Sequence, residues 1–231
     1  MEQLCIIIPV YNNPQTIGAV TADALETGTQ VIVVDDGSQP EVQLPQHERL
    51  KLLRHSQNAG KGEAILTGGR EAKEMGFASF IVLDADGQHF PEEAERFREK
   101  NRAECIVIGC RKFEENVPGS SKFGRAFSNF WIWVETGLRL KDTQSGFRSY
   151  PVSVLDLSLQ RKRYDFEIEI LVQHAWNGAF IEEVDISVYY PTAEERISHF
   201  DKFRDNVRLS RLHSSLVLQR WLGLFYPKTK K

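Results

Sequence analysis

The chain has 231 residues and a mass of 26.5 kDa, which is enough to bury a hydrophobic core without disulfide bridges. Its residues are 41% hydrophobic and 26% charged, which is typical of soluble globular proteins and excludes collagen-like, disordered and polytopic membrane classes. A net charge of −3 argues against a nucleic-acid partner, because that affinity depends on an excess of Lys and Arg.

The first apolar run begins at Leu4 with no basic segment before it, so we predict no signal peptide. No apolar run approaches the roughly 20 residues that cross a bilayer. Cys5, Cys105 and Cys110 lie in or beside apolar runs and lack metal-ligand spacing. We therefore expect reduced core cysteines in a cytoplasmic protein.

Short β-branched runs alternate with helical patterns through the first half of the chain, which predicts an α/β fold with a mostly parallel central sheet flanked by helices. After residue 109 the alternation weakens. The predicted strands are 4–10, 31–34, 50–54, 80–83, 105–109 and 181–190, and the predicted helices are 14–24, 62–74 and 91–100.

We predict one main domain over residues 1–200, which divides into the halves 1–110 and 111–200 where the alternation weakens. The remainder, 201–231, is predicted to form a basic amphipathic tail. From residue 206 to the end there are six Lys or Arg and no Asp or Glu, so this segment carries +6 and the rest −9.

Polar side chains follow three of the predicted strands, where ligands collect in open α/β sheets. The first strand is followed by Tyr11 and Asn12, the second by Asp36, and the fourth by Asp84 and Asp86. Each motif taken alone could equally be a helix cap or an Asx turn. Their convergence on one sheet edge favours a ligand site.

Asp84 and Asp86 are separated by one residue in a loop, and Gln88 offers a further oxygen. Such oxygen donors suit Mg²⁺ or Mn²⁺, which share their coordination with phosphate. The alternative is a capped loop before the helix at Pro91. Two adjacent acids repel each other without a cation, which favours the metal.

The segment 58–62 precedes a helix, where free backbone N–H groups attract anions, and Lys61 stands within reach of a phosphate. Neither a Walker A loop nor a dinucleotide fingerprint is present, which argues against kinases and dehydrogenases. A plain glycine turn at Gly60 and Gly62 is the alternative.

With these motifs identified, the chain resembles the family 2 glycosyltransferases, and among them the dolichol-phosphate mannosyltransferases and polyprenyl-phosphate glucosyltransferases. Seven blocks in order carry the resemblance: IIIPVYNN, VIVVDDGS, NAGKGEAILTG, VLDADGQH, IGCRK, DTQSGFRSY and YDFEIEIL. It implies that residues 1–200 form a single glycosyltransferase domain with the GT-A type of nucleotide-sugar binding fold, in which 1–110 is the nucleotide-sugar half and 111–200 the acceptor half.

The resemblance also implies which residues bind a UDP- or GDP-linked sugar. Asp36 would contact the base, and Asp84, Asp86 and Gln88 would form a DXD-like metal site. Asn13 departs from the glutamate that the family usually carries there. The full implied donor set is Pro9, Tyr11, Asn12, Asp36, Lys61, Asp84 and Arg148.

Arg111 and Arg125 match two family arginines that bind the phosphate of a lipid acceptor. Guanidinium groups suit phosphate, although surface salt bridges are the commoner role of an arginine. Relatives carry a serine near Arg125, for which this chain offers Ser128 or Asn129.

The DTQSGFR block is implied to line the sugar or acceptor pocket through Asp142, Gln144, Ser145 and Arg148. Glu167 and Glu169 stand two apart on a predicted helix, so we expect only one of them in the site. By similarity that residue is Glu167, and its equal alternative role is that of a buried partner for an arginine such as Arg148.

A lipid monophosphate is largely dianionic near neutral pH, since its second pKa is about 6, and it attacks without a strong general base. A hydroxyl acceptor would instead make Glu167 or Asp142 essential. The predicted catalytic set is Asp86, Arg111, Arg125, Asp142 and Glu167.

The sequence therefore predicts an inverting, metal-dependent hexosyltransferase with a polyprenyl-phosphate acceptor. The alternatives are a family 2 enzyme acting on a hydroxyl and a catalytically silent sugar-nucleotide binding module. Arg196, Ser198 and His199 are interpreted as a substrate lid. Residues 206–231 would contact the inner membrane face, or else pack on the protein or in a homodimer.

Overall fold

The computed structural model describes residues 4–112, 119–163, 165–189 and 202–222. In these ranges seven strands form a single sheet in the order β3-β2-β1-β4-β6-β5-β7. The strands are β1 Leu4–Val10, β2 Val31–Asp35, β3 Leu50–Arg54, β4 Ser79–Val82, β5 Cys105–Arg111, β6 Arg148–Pro151 and β7 Phe180–Ile186. The helices are α1 Ile17–Glu26, α2 Lys61–Glu74, α3 Ala94–Lys100, α4 Gly119–Thr136, α5 Phe166–Trp176 and α6 Lys202–Trp221.

The sheet separates two hydrophobic cores, because helices cover both of its faces. Ile7 and Val34 point into one core with Trp176 of α5, whereas Ile8 points into the other with Phe97 of α3. Burial on both faces explains why β1 and β2 read as continuous apolar runs rather than alternating ones. The predicted α/β class is confirmed.

Strand β6 was not predicted, and it is the antiparallel member of an otherwise parallel sheet. It pairs with β4 on one side and with β5 on the other, so Arg148 lies opposite both Val82 and Ile108. Its four residues are all buried. This strand brings the DTQSGFR block from the acceptor half to the centre of the sheet.

Several predicted boundaries differ from the structure at the ends that carry polar loops. Helix α1 begins at Ile17 rather than at residue 14, because Asn13 and Thr16 bond to a neighbouring loop instead. The segment 91–100 begins as a 3₁₀ turn at Pro91–Glu93 before α3. The predicted strand 181–190 ends at Ile186.

Helix α6 belongs to the predicted tail, yet its inner face is part of the protein core. Leu212 and Leu216 are buried in the first core, and the helix packs on α4. The three cysteines are unpaired and buried, as predicted. Across the described ranges, no helix has both the length and the apolar character to span a bilayer.

Candidate active site

The loop after β1 is tied to the loop after β2 by polar contacts of Asn12. Its backbone has φ of 48°, and its amide donates to Ser38 Oγ at 2.9 Å. Gln39 N donates back to the Asn12 side chain, also at 2.9 Å. The two strand ends that were predicted to bind the nucleoside are therefore one connected rim, with Tyr11 exposed on it.

Asp36 is buried and organises the turn before α2. Its two oxygens accept from Ala59 N and Gly60 N, each at 2.8 Å, and His55 Nδ1 lies 2.7 Å away. Gly60 has φ of 104°, which favours glycine. In this structure the anion that binds these amides is the carboxylate of Asp36 itself. The contact of Asp36 with the base of the donor stays a prediction.

Asn13 holds the loop that carries the acid pair. Its Nδ2 donates to the Ala85 carbonyl at 3.0 Å, and Thr16 Oγ1 donates to the same carbonyl. Ala85 lies between Asp84 and Asp86, so the contact fixes the loop from the β1 side. The amide of Asn13 can donate a hydrogen bond to this carbonyl, whereas the ionised carboxylate of the family's usual glutamate could not.

Lys61 joins Asp84 to Glu167. Its Nζ lies 2.7 Å from Asp84 Oδ1 and 2.9 Å from Glu167 Oε1. Burial acts to raise the pKa of Asp84, but the Lys61 ammonium holds it below its usual value. The pKa of Lys61 is raised, because the two carboxylates outweigh its burial.

Gly146 packs directly against this ion pair. A Cβ at this position would stand 2.5 Å from Asp84 Oδ2 and 3.0 Å from Lys61 Nζ. The DTQSGFR block is therefore in contact with Asp84. Its place along the sugar or acceptor pocket stays a prediction.

Asp86 differs from Asp84 in having no lysine beside it in the described contacts. Its Oδ1 accepts from Gln88 N at 3.0 Å. Burial and the charge of Asp84 raise the pKa of Asp86 to about 6. Two mutually repelling carboxylates of this kind form a donor set that a divalent cation would stabilise.

The residues present fit Mg²⁺ or Mn²⁺ shared with a ligand. In the described residues, no cluster of three or more His, Cys, Asp or Glu side chains is arranged to hold a metal ion. A pair of carboxylates is nevertheless typical of Mg²⁺ sites completed by substrate phosphates and water. Gln88 contributes backbone contacts here, since its carbonyl also accepts from Tyr189 N at 2.9 Å.

Two arginines converge on the buried carboxylate of Asp142. Arg111 donates from Nε and Nη2 to its two oxygens at 2.7 and 2.9 Å, and Arg125 Nη1 lies 3.2 Å from Oδ2. Burial acts to raise the pKa of Asp142, but Arg111 and Arg125 hold it below its usual range. The arginines that were predicted to bind phosphate are thus brought together by an ionised aspartate.

Ser128 and Asn129 both contact the loop before β6. Thr143 Oγ1 lies 2.9 Å from Ser128 Oγ and 2.7 Å from Asn129 Oδ1. Asn129 Nδ2 also donates to the Lys141 carbonyl at 2.8 Å. Both residues tie α4 to the segment that carries Asp142.

Arg148 requires a correction, because its side chain is fully buried and does not line the donor pocket. Nε, Nη1 and Nη2 each donate to a backbone carbonyl at 2.7 Å, those of Ser145, Glu167 and Thr143 respectively. Burial in β6 places the guanidinium behind the site. It shapes the acceptor loop and the start of α5.

Glu167 and Glu169 face different directions, as their spacing predicted. Glu167 binds Lys61, whereas Glu169 accepts from Gln160 N and Arg161 N at 2.9 and 2.8 Å. The alternative partner for Glu167 was Arg148, which contacts its backbone carbonyl rather than its carboxylate.

His89 is the site residue that sequence reasoning missed. It is buried beside Phe147, with ring centroids 5.1 Å apart, and burial lowers its pKa to about 4. Besides burial, the charges of Asp84, Arg111, Lys61 and Asp142 act on its pKa. Its place in VLDADGQH was the available signal. The predicted lid residues Arg196, Ser198 and His199 lie outside the described residues.

Comparison with known proteins gives a family match and several relatives. The profile described as glycosyl transferase family 2 matches residues 5–166. A UDP-N-acetylglucosamine–dolichyl-phosphate N-acetylglucosaminyltransferase from Methanococcus voltae is 30% identical over 213 residues, covering 80% of this chain and 85% of that protein. An undecaprenyl-phosphate mannosyltransferase from Micrococcus luteus is 30% identical, covering 78% of this chain and 81% of that protein.

Solved structures share the fold at much lower identity. Glucosyl-3-phosphoglycerate synthase from Mycobacterium tuberculosis, crystallised with Mn²⁺, UDP and glucosyl-3-phosphoglycerate, matches with a TM-score of 0.64 at 16% identity. The match covers 95% of this chain and 80% of that one. It confirms the predicted GT-A type of architecture.

Proposed function

The chain belongs to glycosyl transferase family 2, and from that membership we propose that it transfers a sugar from a nucleotide-sugar donor to a polyprenyl phosphate, inverting the anomeric centre. The printed functions of the Methanococcus and Micrococcus relatives both name a lipid-phosphate acceptor. We propose that the donor carries uracil or guanine and that Pro9, Tyr11, Asn12 and Asp36 bind its nucleoside.

The observation that carries this proposal is the convergence of Arg111 and Arg125 on Asp142 beside the acid pair. Two guanidinium groups meet at the one carboxylate of Asp142, which brings two cationic side chains together at this point. The charge of Arg111 also acts on Asp84, where it adds to the larger effect of Lys61 in lowering the pKa. A dianionic phosphate suits such a pair.

The carboxylates of the site favour a phosphate acceptor over a hydroxyl. A hydroxyl needs a free base to accept its proton. Asp142 is engaged by Arg111 and Arg125, and Glu167 by Lys61. A phosphate needs no such base, because it arrives largely deprotonated.

Asp84 and Asp86, with Gln88 beside them, would hold the divalent metal. Bound there, Mg²⁺ or Mn²⁺ supplies positive charge to the departing nucleoside diphosphate. This assignment rests on the chemistry of the two acids and on the family resemblance.

The chain's own residues then position the two reactants. Lys61 offers an ammonium to the diphosphate, and Arg111 and Arg125 orient the acceptor oxygen toward the anomeric carbon. Asp142 keeps both guanidinium groups aligned and Arg148 supports the loop beneath them. Displacement from the face opposite the leaving group gives inversion.

We also propose that the enzyme meets its lipid at a membrane surface through α4 and α6. Phe130, Trp133 and Trp221 are 52%, 43% and 83% exposed. Arg139 lies 5.9 Å from the Trp133 ring centroid, and Arg220 donates to the Val134 carbonyl. Aromatic rings beside arginines are typical of interfacial helices. Arg125 lies on α4 together with Phe130 and Trp133. The phosphate and the tail of the lipid would therefore contact neighbouring parts of this helix.

The direct test is to incubate the purified protein with UDP- or GDP-sugars, a short polyprenyl phosphate and Mn²⁺, and to detect product by mass. We expect a glycosyl lipid phosphate of inverted configuration. Arg111→Gln should raise the KM for lipid phosphate more than the KM for donor. Transfer to a polyprenol of the same length, but not to its phosphate, would overturn the proposal in favour of a hydroxyl acceptor. Donor binding without any transfer would favour a silent module.

A further inference from the structure

Lys61 contacts one oxygen of Asp84, a carboxylate that would hold the proposed metal. Its ammonium lies at hydrogen-bonding distance from Asp84 Oδ1 and from Glu167 Oε1, and the other oxygen of Asp84 faces Gly146. Asp84 is therefore enclosed by protein groups on both sides. A divalent cation that binds this carboxylate must share it with an ammonium or displace it.

We propose that Lys61 is an exchangeable internal cation: it neutralises Asp84 in the donor-free enzyme and passes to the donor's diphosphate when metal and nucleotide bind together. The inference rests on the proposed metal site and adds an order of binding to it. Metal alone binds weakly, because it competes with Lys61, and the diphosphate relieves that competition by offering the ammonium a new partner.

The position of Lys61 suits such a movement. It is the first residue of α2, directly after Gly60, whose amide is fixed by Asp36. The backbone is therefore anchored while a flexible four-carbon stem carries the charge. The N-terminus of α2, residues 61–64, also attracts anions because of the helix dipole.

Glu167 is the second partner of Lys61, and it keeps the ammonium inside the site. Its backbone carbonyl is fixed by buried Arg148, so its carboxylate stays close to Lys61. When Lys61 turns to a diphosphate, it exchanges one oxygen anion for another. Like charges of Lys61 and the metal would otherwise repel each other at short range.

Binding linkage makes the inference measurable. If nucleotide strengthens metal binding by a given factor, metal strengthens nucleotide binding by the same factor. Part of that coupling comes from direct contact of metal with phosphate. The other part is predicted to come from Lys61, and it should disappear when the ammonium is removed.

The experiment measures Mn²⁺ affinity by titration of the free-ion electron spin resonance signal, with and without UDP, and GDP replaces UDP throughout if the donor test shows that the protein uses a GDP-sugar. In the wild-type protein we expect weak Mn²⁺ binding that UDP strengthens. Without nucleotide, Lys61→Met should bind Mn²⁺ about tenfold more tightly than the wild type does, because the competing ammonium is gone. UDP should then strengthen Mn²⁺ binding by a smaller factor than in the wild type. Lys73→Met in the same helix is the matched control, since Lys73 pairs with surface Asp156, and it should leave both affinities unchanged.

A double variant separates direct competition from a change of net charge. Lys61→Met with Glu167→Gln removes one positive and one negative group, so the cluster keeps its net charge. It also leaves no unpaired partner of Lys61 at residue 167, which protects folding. We expect the double variant to retain most of the gain in Mn²⁺ affinity.

The possible failures are distinguishable. Unchanged or weaker Mn²⁺ binding in both variants, with UDP-dependent binding intact in the wild type, would overturn the exchange and leave the metal site standing. A gain in the single variant that vanishes in the double variant would also overturn it, since net charge alone would then explain the effect. Absence of Mn²⁺ binding in every protein, with or without UDP, would refute the metal site and the exchange together.

Discussion

At the scale of single residues, Gly146 decides how close the acceptor loop can approach the acid pair. Gly146→Ala would place a methyl group 2.5 Å from Asp84 Oδ2, which is too close. We expect Asp84 to turn away, at little cost in stability because only a side-chain end must move. Donor affinity and kcat/KM should each fall about tenfold or more, since a small misplacement of a catalytic group has large effects.

The control for this substitution is Gly18→Ala. Gly18 lies inside α1, and a Cβ there would meet nothing within 4 Å. We expect it to stabilise the helix by about 0.5–1 kcal/mol and to leave activity unchanged. Donor affinity is measured by calorimetric titration, and stability by urea unfolding. Full donor affinity in Gly146→Ala would contradict the assigned contact.

Asp86 gives a prediction about pH and stability in the metal-free protein. Burial and Asp84 raise its pKa to about 6, above the value of about 3.9 for an unfolded chain. The folded state therefore binds this proton more tightly, and Asp86 lowers stability as pH rises from about 4 to about 6, with no further change above that. Asp86→Asn removes this dependence.

The measurement compares urea unfolding of wild type and Asp86→Asn in EDTA at about pH 4 and about pH 7. We expect the variant to gain on the order of 2 kcal/mol relative to wild type between the two. Asp156→Asn serves as a control, since that side chain is 73% exposed, and its difference from wild type should stay constant. A constant difference for Asp86→Asn as well would show that the carboxyl is not perturbed in this way.

Much of the site could be predicted at this scale, because its residues fall in short contiguous motifs. The loop positions of Asp84, Asp86 and Lys61 follow directly from strand ends and a helix start. Their mutual contacts do not, because Lys61 and Glu167 are distant in sequence and meet only through the packing of α2 on α5. The burial of Arg148 was missed for the same reason.

At the scale of elements, β6 shows where sequence periodicity stops being informative. Its four residues, from Arg148 to Pro151, alternate neither as a surface strand nor as a continuous apolar run. The strand exists because β4 and β5 offer it partners on both sides. Long-range pairing of this kind leaves no local pattern, whereas β1, β2, β4 and β5 are mostly apolar and buried and were predicted.

A buried hydrogen bond between two side chains joins α6 to α4. His213 Nδ1 lies 2.7 Å from Glu135 Oε1, both side chains are almost fully buried, and Trp131 stacks on the imidazole. Leucine at position 213 would leave the carboxylate unpaired. We expect His213→Leu to lower the free energy of unfolding by about 3 kcal/mol, measured in urea at neutral pH.

Replacing both partners tests whether the loss of stability comes from the carboxyl group of Glu135, which His213→Leu leaves unpaired. Glu135→Leu with His213→Leu should be close to wild type in stability, because apolar pairs of similar volume often replace buried ion pairs without loss. Ser214→Ala, on the exposed side of α6, should change little. A double variant as unstable as His213→Leu alone would mean that shape, not charge, governs this contact.

At the scale of the whole molecule, charge and exposed apolar surface are distributed unequally. The segment 206–231 was predicted from its charge to be either an interfacial helix or a helix packed on the protein. The described part has both properties, because Leu212 and Leu216 are buried while Leu218 and Trp221 are exposed. Deleting the segment would therefore disrupt the core, and substitutions on the outer surface are the better test of membrane contact.

The last prediction concerns this outer surface. Replacing Phe130, Trp133 and Trp221 together with serine should abolish most co-sedimentation of the protein with vesicles of phosphatidylglycerol and phosphatidylcholine. The reason is that exposed aromatic rings provide the apolar part of interfacial binding. The melting temperature should change little, since exposed substitutions each cost about 0.5 kcal/mol or less. Salt should weaken wild-type binding, because the anionic headgroups act on arginines. The matched control replaces Leu52, Met75 and Phe180, which are exposed elsewhere, and equal loss in both triple variants would refute a specific membrane-facing surface.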